Sequence, residues 1–124
     1  MKNQLGKGID KLKYIISECV KLKAGIVEKD ELDLGERHIL NFGHTIGHAI
    51  ETLFNFNILH GEAVAIGMVY ESYIALKRNL ITKNMFERLI KILEYFELPT
   101  EIEIENYKLL KDIICKDKKM WIII

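Results

Sequence analysis

The segments that determine the fold read NFGHTIGHAIETLF at residues 41–54 and, after a short break, HGEAVAIGMVYESYIALK at residues 60–77. Apolar residues recur in both at intervals of three and four, the period of one face of an α-helix. We therefore predict one helix that begins near residue 37 or 41 and ends at 54, and a second helix over about 61–79. The apolar surface of the second helix is wide, which favours a central position in a bundle.

Gly43 and Gly47 lie inside the first of these helical patterns. A glycine in a helix interior costs up to about 1 kcal/mol relative to alanine, because the unfolded chain loses more conformational freedom. Two such residues beside histidines predict a close approach of the backbone, either to another helix or to a ligand.

The same helical period continues on both sides of this region. It predicts a long helix at about Asp10–Val27, and it stops at an acidic segment, 28–36, which we interpret as a loop. Two further helices are predicted to begin after Thr82 and Asn106, which are suitable N-cap residues. The alternation at 101–105 fits a short strand or an extended linker. We expect a mostly α fold of about five helices, with a disordered lead-in at 1–8 and one helical domain at 9–124. The β-prone end at 121–124 suggests truncation, and we expect the domain to be truncated at both ends relative to a full-length enzyme.

Composition places the chain among globular domains, since 49% of its 124 residues are hydrophobic and 29% are charged. Eighteen basic residues balance eighteen acidic ones, so charge gives no reason to expect a nucleic-acid or membrane partner. No apolar run approaches the roughly 20 residues of a membrane span. Cys19 and Cys115 form no CxxC motif, which favours a reducing compartment, and we expect a cytoplasmic location.

The four histidines all lie between residues 38 and 60. His44 and His48 are four residues apart, so on a helix they share one face. His60 follows a loop that allows the chain to turn back towards them. Three neutral imidazoles at one place are typical of a zinc site, although individually packed histidines explain the same pattern. The motif is not the HExxH of a zinc protease, because Thr45 follows His44.

The residues around these histidines resemble a known family. The runs NFGHTIGHAIE at 41–51 and LHGEAVAIGM at 59–68 are similar to the signature of the 3-dehydroquinate synthase family. Further matches at the family's spacing are Lys23-Ala24, Asp30-Glu31, Gly35, Arg37 and Asp117-Lys118-Lys119. The resemblance covers about residues 10–119.

Enzymes of this family are lyases that convert 3-deoxy-D-arabino-heptulosonate 7-phosphate to 3-dehydroquinate in the shikimate pathway of aromatic amino acid biosynthesis. They use NAD and a divalent metal, usually zinc, with cobalt among the alternatives. The resemblance implies that this chain is the helical C-terminal domain, and that an N-terminal domain carries NAD. It also implies that a third metal ligand, a glutamate, lies in a segment before residue 1.

The resemblance assigns roles to individual residues. It implies that His44 and His60 bind the metal, and that His48 contacts the substrate and assists proton transfer. It assigns catalytic positions to Lys23 and Asn41 as well, and substrate binding to Lys23, Arg37, Asn41, His48 and Lys118. Lys119 is the alternative to Lys118. Glu51 and Glu62 lie beside the histidines and are candidates to orient an imidazole.

Two other functions remain open at this point. A related sugar-phosphate cyclase or a metal-dependent polyol dehydrogenase shares a histidine metal site, and a non-catalytic helical module that binds metal or a partner is a third possibility. The phosphate-handling set of residues argues against the dehydrogenase, because simple hydride transfer needs no elimination apparatus; this set is Lys23, Asn41, His48 and Lys118. We expect the isolated chain to be inactive, and to form a homodimer or self-associate through an exposed apolar face.

Overall fold

The computed structural model describes residues 2–32 and 34–116, with side chains from residue 8 onward. This part of the chain contains five α-helices, one 3-10 helix and no β-strand, which confirms the predicted all-helical class. The elements in chain order are α1 (Lys2–Lys29), the 3-10 helix (Glu36–Asn41), α2 (His44–Leu53), α3 (His60–Lys77), α4 (Lys83–Tyr95) and α5 (Tyr107–Lys116). Among these helices, none has both the length and the apolarity required to cross a membrane. The run at 121–124 and both Lys118 and Lys119 lie outside the described residues.

Residues 1–40 and 41–124 form two compact units. In the first unit, α1 begins at Lys2 and so extends into the segment that was predicted as a lead-in, 1–8. Once a helix exists, each added residue gains a backbone hydrogen bond, and this extension proceeds through Gly6 and Gly8 despite their low helix propensity.

The predicted acidic loop is organised around a single side chain, Asp30. Its Oδ1 accepts a hydrogen bond from the backbone N–H of Leu34 at 2.9 Å, and its Oδ2 accepts from those of Gly35 at 2.8 Å and Arg37 at 3.0 Å. The bonds from Arg37 and Leu34 hold the pKa of the Asp30 carboxyl below its usual value, because they favour the charged form. The segment therefore forms a compact turn that ends α1 and leads into the 3-10 helix.

In the second unit, α2 packs against α3 and α5, and α3 also packs against α4. The core between α2 and α3 consists of Ile46, Ile50, Ala63 and Ile66, and it is extended by Phe54, Ile58, Tyr70, Ile102, Leu110 and Ile114. Ile50 and Ile66 are fully buried. The predicted central position of α3 is confirmed, since it is the helix that contacts both α2 and α4.

Two predicted helix starts have the expected side-chain caps. Thr82 Oγ1 accepts from Met85 N–H at 3.3 Å, and Asn106 Oδ1 accepts from Leu109 N–H at 2.9 Å. The alternating segment at 101–105 is an extended linker and not a strand. Ile104 lies buried within it and fixes the linker to the rest of the unit.

The prediction of a helix that contains both Gly43 and Gly47 is wrong for Gly43. This residue has φ +79° and precedes the first residue of α2, which separates the 3-10 helix from α2. Gly47 lies within α2, where a Cβ atom would be 3.1 Å from Val64 Cα. The predicted close backbone approach is confirmed, and the neighbour is helix α3.

Gly67 on α3 completes this contact from the other side. A Cβ atom there would overlap the carbonyl oxygen of Gly43 and lie 2.8 Å from the backbone nitrogen of Gly47. The two backbones touch without an intervening side chain, so the separation of α2 and α3 is determined by these three glycines.

The substitution Gly67→Ala is therefore expected to push α2 away from α3. Its matched control is Gly61→Ala in the same helix, where nothing lies within 4 Å of the added Cβ. We expect Gly67→Ala to lower the free energy of unfolding by about 1–3 kcal/mol, and Gly61→Ala to leave it equal or slightly higher because alanine favours helix. Urea unfolding followed by circular dichroism measures both. Equal stability of the two variants would contradict the tight contact.

Candidate metal centre

Three histidine rings converge at one end of the α2–α3 pair. His44 and His48 lie one turn apart on α2, and His60 is the first residue of α3. The ring centroids are 5.6 Å apart for His44 and His48, and 5.5 Å apart for each of the other two pairs. The side chains of His48 and His60 are about half exposed, at 51% and 54%, so a ligand can reach them. The fold thus brings together the three histidines that the sequence analysis singled out.

Each of the three rings has an oxygen acceptor at its Nδ1 atom. The distances are 3.2 Å from His44 to the Phe42 carbonyl, 2.8 Å from His48 to Glu51 Oε2, and 3.0 Å from His60 to Glu51 Oε1. A carbonyl or carboxylate oxygen only accepts, so the imidazole Nδ1 donates in each pair. In a neutral imidazole this leaves the lone pair on Nε2, which is the form that binds a metal.

Glu51 is the residue that connects two of these rings. It lies one turn after His48 on α2, it is buried, and its two oxygens serve His48 and His60 separately. Burial acts to raise the pKa of the Glu51 carboxyl, but the hydrogen bonds from the two imidazoles outweigh it and hold the pKa below its usual value. One charged carboxylate therefore orients a residue of α2 and a residue of α3 together.

Glu62, the other glutamate considered from the sequence, has a different role. Its carboxylate accepts from the backbone N–H of Leu59 at 3.4 Å, at the start of α3. It supports the turn that presents His60 without contacting the ring in the described hydrogen bonds.

Sequence reasoning missed Glu71, which lies on α3 and reaches the start of α2. Its Oε2 accepts from Gly43 N–H at 2.7 Å, and its Oε1 lies 3.5 Å from Ile46 N. Burial raises the pKa of the Glu71 carboxyl, although the Gly43 bond opposes this. No local motif reveals this contact, because residues 43 and 71 are far apart in the chain.

The remaining predicted residues are distributed between the two units. Lys23 is exposed on α1, and Arg37 donates through Nη1 to the Glu31 carbonyl at 3.2 Å, both in the first unit. Asn41 is half-buried at the end of the 3-10 helix and belongs to the second unit with the histidines. Their roles in substrate binding, like that of Lys118, stay predictions.

The donor set fits a divalent metal such as zinc, because it offers imidazole nitrogens whose other ring nitrogen is already bonded. The ligand atoms of His48, Glu51 and His60 all lie within 4.8 Å of one another. This group differs from the predicted ligand pair, His44 and His60, because it includes His48 and Glu51 and does not include His44. The structure thus presents one candidate ligand group, the resemblance predicts another, and the two share His60.

Comparison with known proteins identifies the family. The model of the family described as 3-dehydroquinate synthase C-terminal matches residues 1–120. The chain belongs to this family. Among similar curated proteins, the 3-dehydroquinate synthase of Clostridium perfringens strain 13 is 50% identical over 106 residues, which are 85% of this chain and 30% of that protein. The 3-dehydroquinate synthases of Clostridium tetani and Geobacter metallireducens are 45% and 43% identical, over 95% and 93% of this chain.

The chain spans about a third of the length of each of these relatives, 30% or 32%. The membership in the 3-dehydroquinate synthase C-terminal family confirms the resemblance identified from the two histidine segments.

The substitution Glu51→Gln is expected to disturb both imidazoles of the pair. An amide has one accepting oxygen, and its NH2 group opposes an Nδ1–H donor, so one ring must change its tautomer or turn away. We expect the imidazole ¹⁵N NMR signals of His48 or His60 to change, because that ring no longer has its proton on Nδ1 and its lone pair on Nε2. The control Glu62→Gln retains an accepting oxygen for Leu59 N–H and should leave both rings unchanged. Unaltered imidazole signals in Glu51→Gln would contradict the orienting role.

Proposed function

We propose that this chain is the metal- and substrate-binding domain of a 3-dehydroquinate synthase, which releases phosphate from 3-deoxy-D-arabino-heptulosonate 7-phosphate and forms 3-dehydroquinate. The observation that carries the proposal is the cluster of three histidines, each with its Nδ1 bonded to an oxygen, in a chain of the 3-dehydroquinate synthase C-terminal family. The relatives named above carry this enzyme's name, which favours the cyclisation over polyol dehydrogenation or a non-catalytic role.

His44 and His60 are the proposed metal ligands, with zinc or another divalent ion such as cobalt as the metal. A bound metal would polarise a substrate hydroxyl, and NAD⁺ would accept the hydride from that carbon and return it as NADH. Glu51 orients His60 through Nδ1, which leaves Nε2 as the coordinating nitrogen. The third protein ligand is proposed to come from a glutamate in another segment of the full enzyme.

His48 is proposed to act on the substrate and not on the metal. Its Nδ1 is bonded to Glu51, and its half-exposed ring leaves Nε2 free to give or take a proton. The substrate's own phosphate is the proposed base in the elimination. The buried carboxylate of Glu51 accepts from Nδ1 at 2.8 Å and so orients the His48 ring.

The anionic substrate requires positive charge and hydrogen-bond donors. We assign this role to Lys23, Arg37, Asn41 and Lys118. An arginine offers a planar fork that matches a carboxylate, and a lysine provides a point charge for phosphate. The NAD-binding domain is proposed as the partner, with cytoplasmic location and dimer formation or self-association as further expectations of the same proposal.

The two candidate ligand sets predict different effects of alanine substitution. With His44 and His60 as ligands, His44→Ala and His60→Ala should each abolish cobalt binding, while His48→Ala should bind cobalt nearly as well as the unaltered chain. Equilibrium dialysis and the visible spectrum of Co²⁺ measure this directly. Loss of binding in His48→Ala with retention in His44→Ala would instead assign the metal to His48, Glu51 and His60. Affinity should be weak throughout, since a zinc site normally has at least three protein ligands.

The activity is tested by phosphate release from the heptulosonate phosphate with NAD and zinc. We expect no turnover by this chain alone, because hydride transfer requires the reacting atoms about 3–3.5 Å apart in a site closed to water. Addition of the remaining N-terminal part of the Clostridium perfringens relative as a separate chain should restore turnover, and His48→Ala should abolish it. Turnover by the isolated chain would overturn the requirement for a partner domain.

A further inference from the structure

Helix α2 begins without a cap of its own, although it carries two of the three histidines. The residue at the N-cap position is Gly43, which has no side chain to accept a hydrogen bond. A helix start normally satisfies its first backbone N–H groups with a Ser, Thr, Asp or Asn side chain at this position.

Close packing excludes such a residue here. A Cβ atom at Gly43 would lie 2.6 Å from both Met68 Cγ and the Val64 carbonyl oxygen, and φ is +79°. A local cap and the contact with α3 are therefore incompatible, so the acceptor must come from elsewhere.

Glu71 supplies it from one turn further along α3 than Gly67. Its carboxylate accepts a hydrogen bond from Gly43 N–H at 2.7 Å and lies 3.5 Å from the backbone nitrogen of Ile46. Gly43 precedes His44 in the chain and Ile46 follows it, so both contacts are close to this histidine. A negative charge at a helix N-terminus is also favoured by the helix dipole. The same carboxylate joins the start of α2 to the helix that begins with His60.

We propose that Glu71 is a positioning residue that holds His44 in register with His60 by capping α2 from α3. The inference rests on the proposed role of His44 as a metal ligand. It differs from the role of Glu51, because Glu71 acts on the backbone beside His44 and Glu51 acts on the rings of His48 and His60.

Stability alone is a poor test of this role. Burial of the Glu71 carboxylate has a cost, so neutralising the side chain removes both a favourable cap and an unfavourable desolvation, and the two effects oppose each other in the melting temperature. The NMR signals of individual residues near Glu71 are more informative, and they can be measured without metal.

The experiment compares Glu71→Gln and Glu71→Ala with the exposed control Glu94→Gln on α4, all in the full 124-residue chain. Without metal, we expect the amide signal of Gly43 and the ring signals of His44 to shift in Glu71→Ala while those of Leu93 in the α4 core stay unchanged. Glu71→Gln retains one accepting oxygen for Gly43 but presents an NH2 group to Ile46 N–H, so it should give a smaller shift. Glu94→Gln should shift neither residue.

With cobalt, we expect Glu71→Ala to weaken binding by about tenfold or more, the lower end of the effect of residues that orient ligands. Unchanged Gly43 and His44 signals in Glu71→Ala would overturn the proposal, as would shifts spread evenly through the whole unit. Failure of the unaltered chain to bind cobalt would instead count against the proposed metal site, and the metal-free signals would still decide the role of Glu71.

Discussion

The second unit depends on the direct contact between the backbones of α2 and α3. Gly67 faces the Gly43 carbonyl and Gly47, so the two helices approach as closely as their main chains allow. Interiors are packed to the density of crystals and tolerate no added atoms at such a contact. This short distance places the histidines of α2 beside the first residue of α3. It also requires glycine at the N-cap position of α2, so no side chain at that position can cap the helix.

Two buried or half-buried carboxylates compensate for this arrangement. Glu71 replaces the missing cap of α2, and Glu51 connects rings from both helices. Both residues bond across the same helix pair, so the geometry of the histidine cluster is maintained from two directions. A charged carboxylate in a site of low exposure needs hydrogen-bond donors for its oxygens. In both glutamates, each of the two carboxylate oxygens has a nitrogen donor within 3.5 Å.

The helices were largely predictable because their signals are local. Thr82 and Asn106 each cap a helix at the expected residue, and the wide apolar surface of α3 predicted its central position. The start of α2 was not predictable in the same way. Periodicity continues through residues 41–54, and only the positive φ of Gly43 separates the 3-10 helix from α2. The start of α1 also differs, since the helix predicted from about Asp10 begins at Lys2.

The sequence by itself determined the helical class, the family and the identity of the three clustered histidines, because spacing and residue type are properties of the chain. Only the tertiary structure decided that Glu51 serves two rings at once and that Glu71 reaches Gly43. These contacts depend on the distance and rotation of α2 against α3, which arise from packing between segments far apart in sequence. Periodicity records which face of a helix is apolar, and it contains no information about which acceptor on a neighbouring helix lies within 3 Å of a given donor.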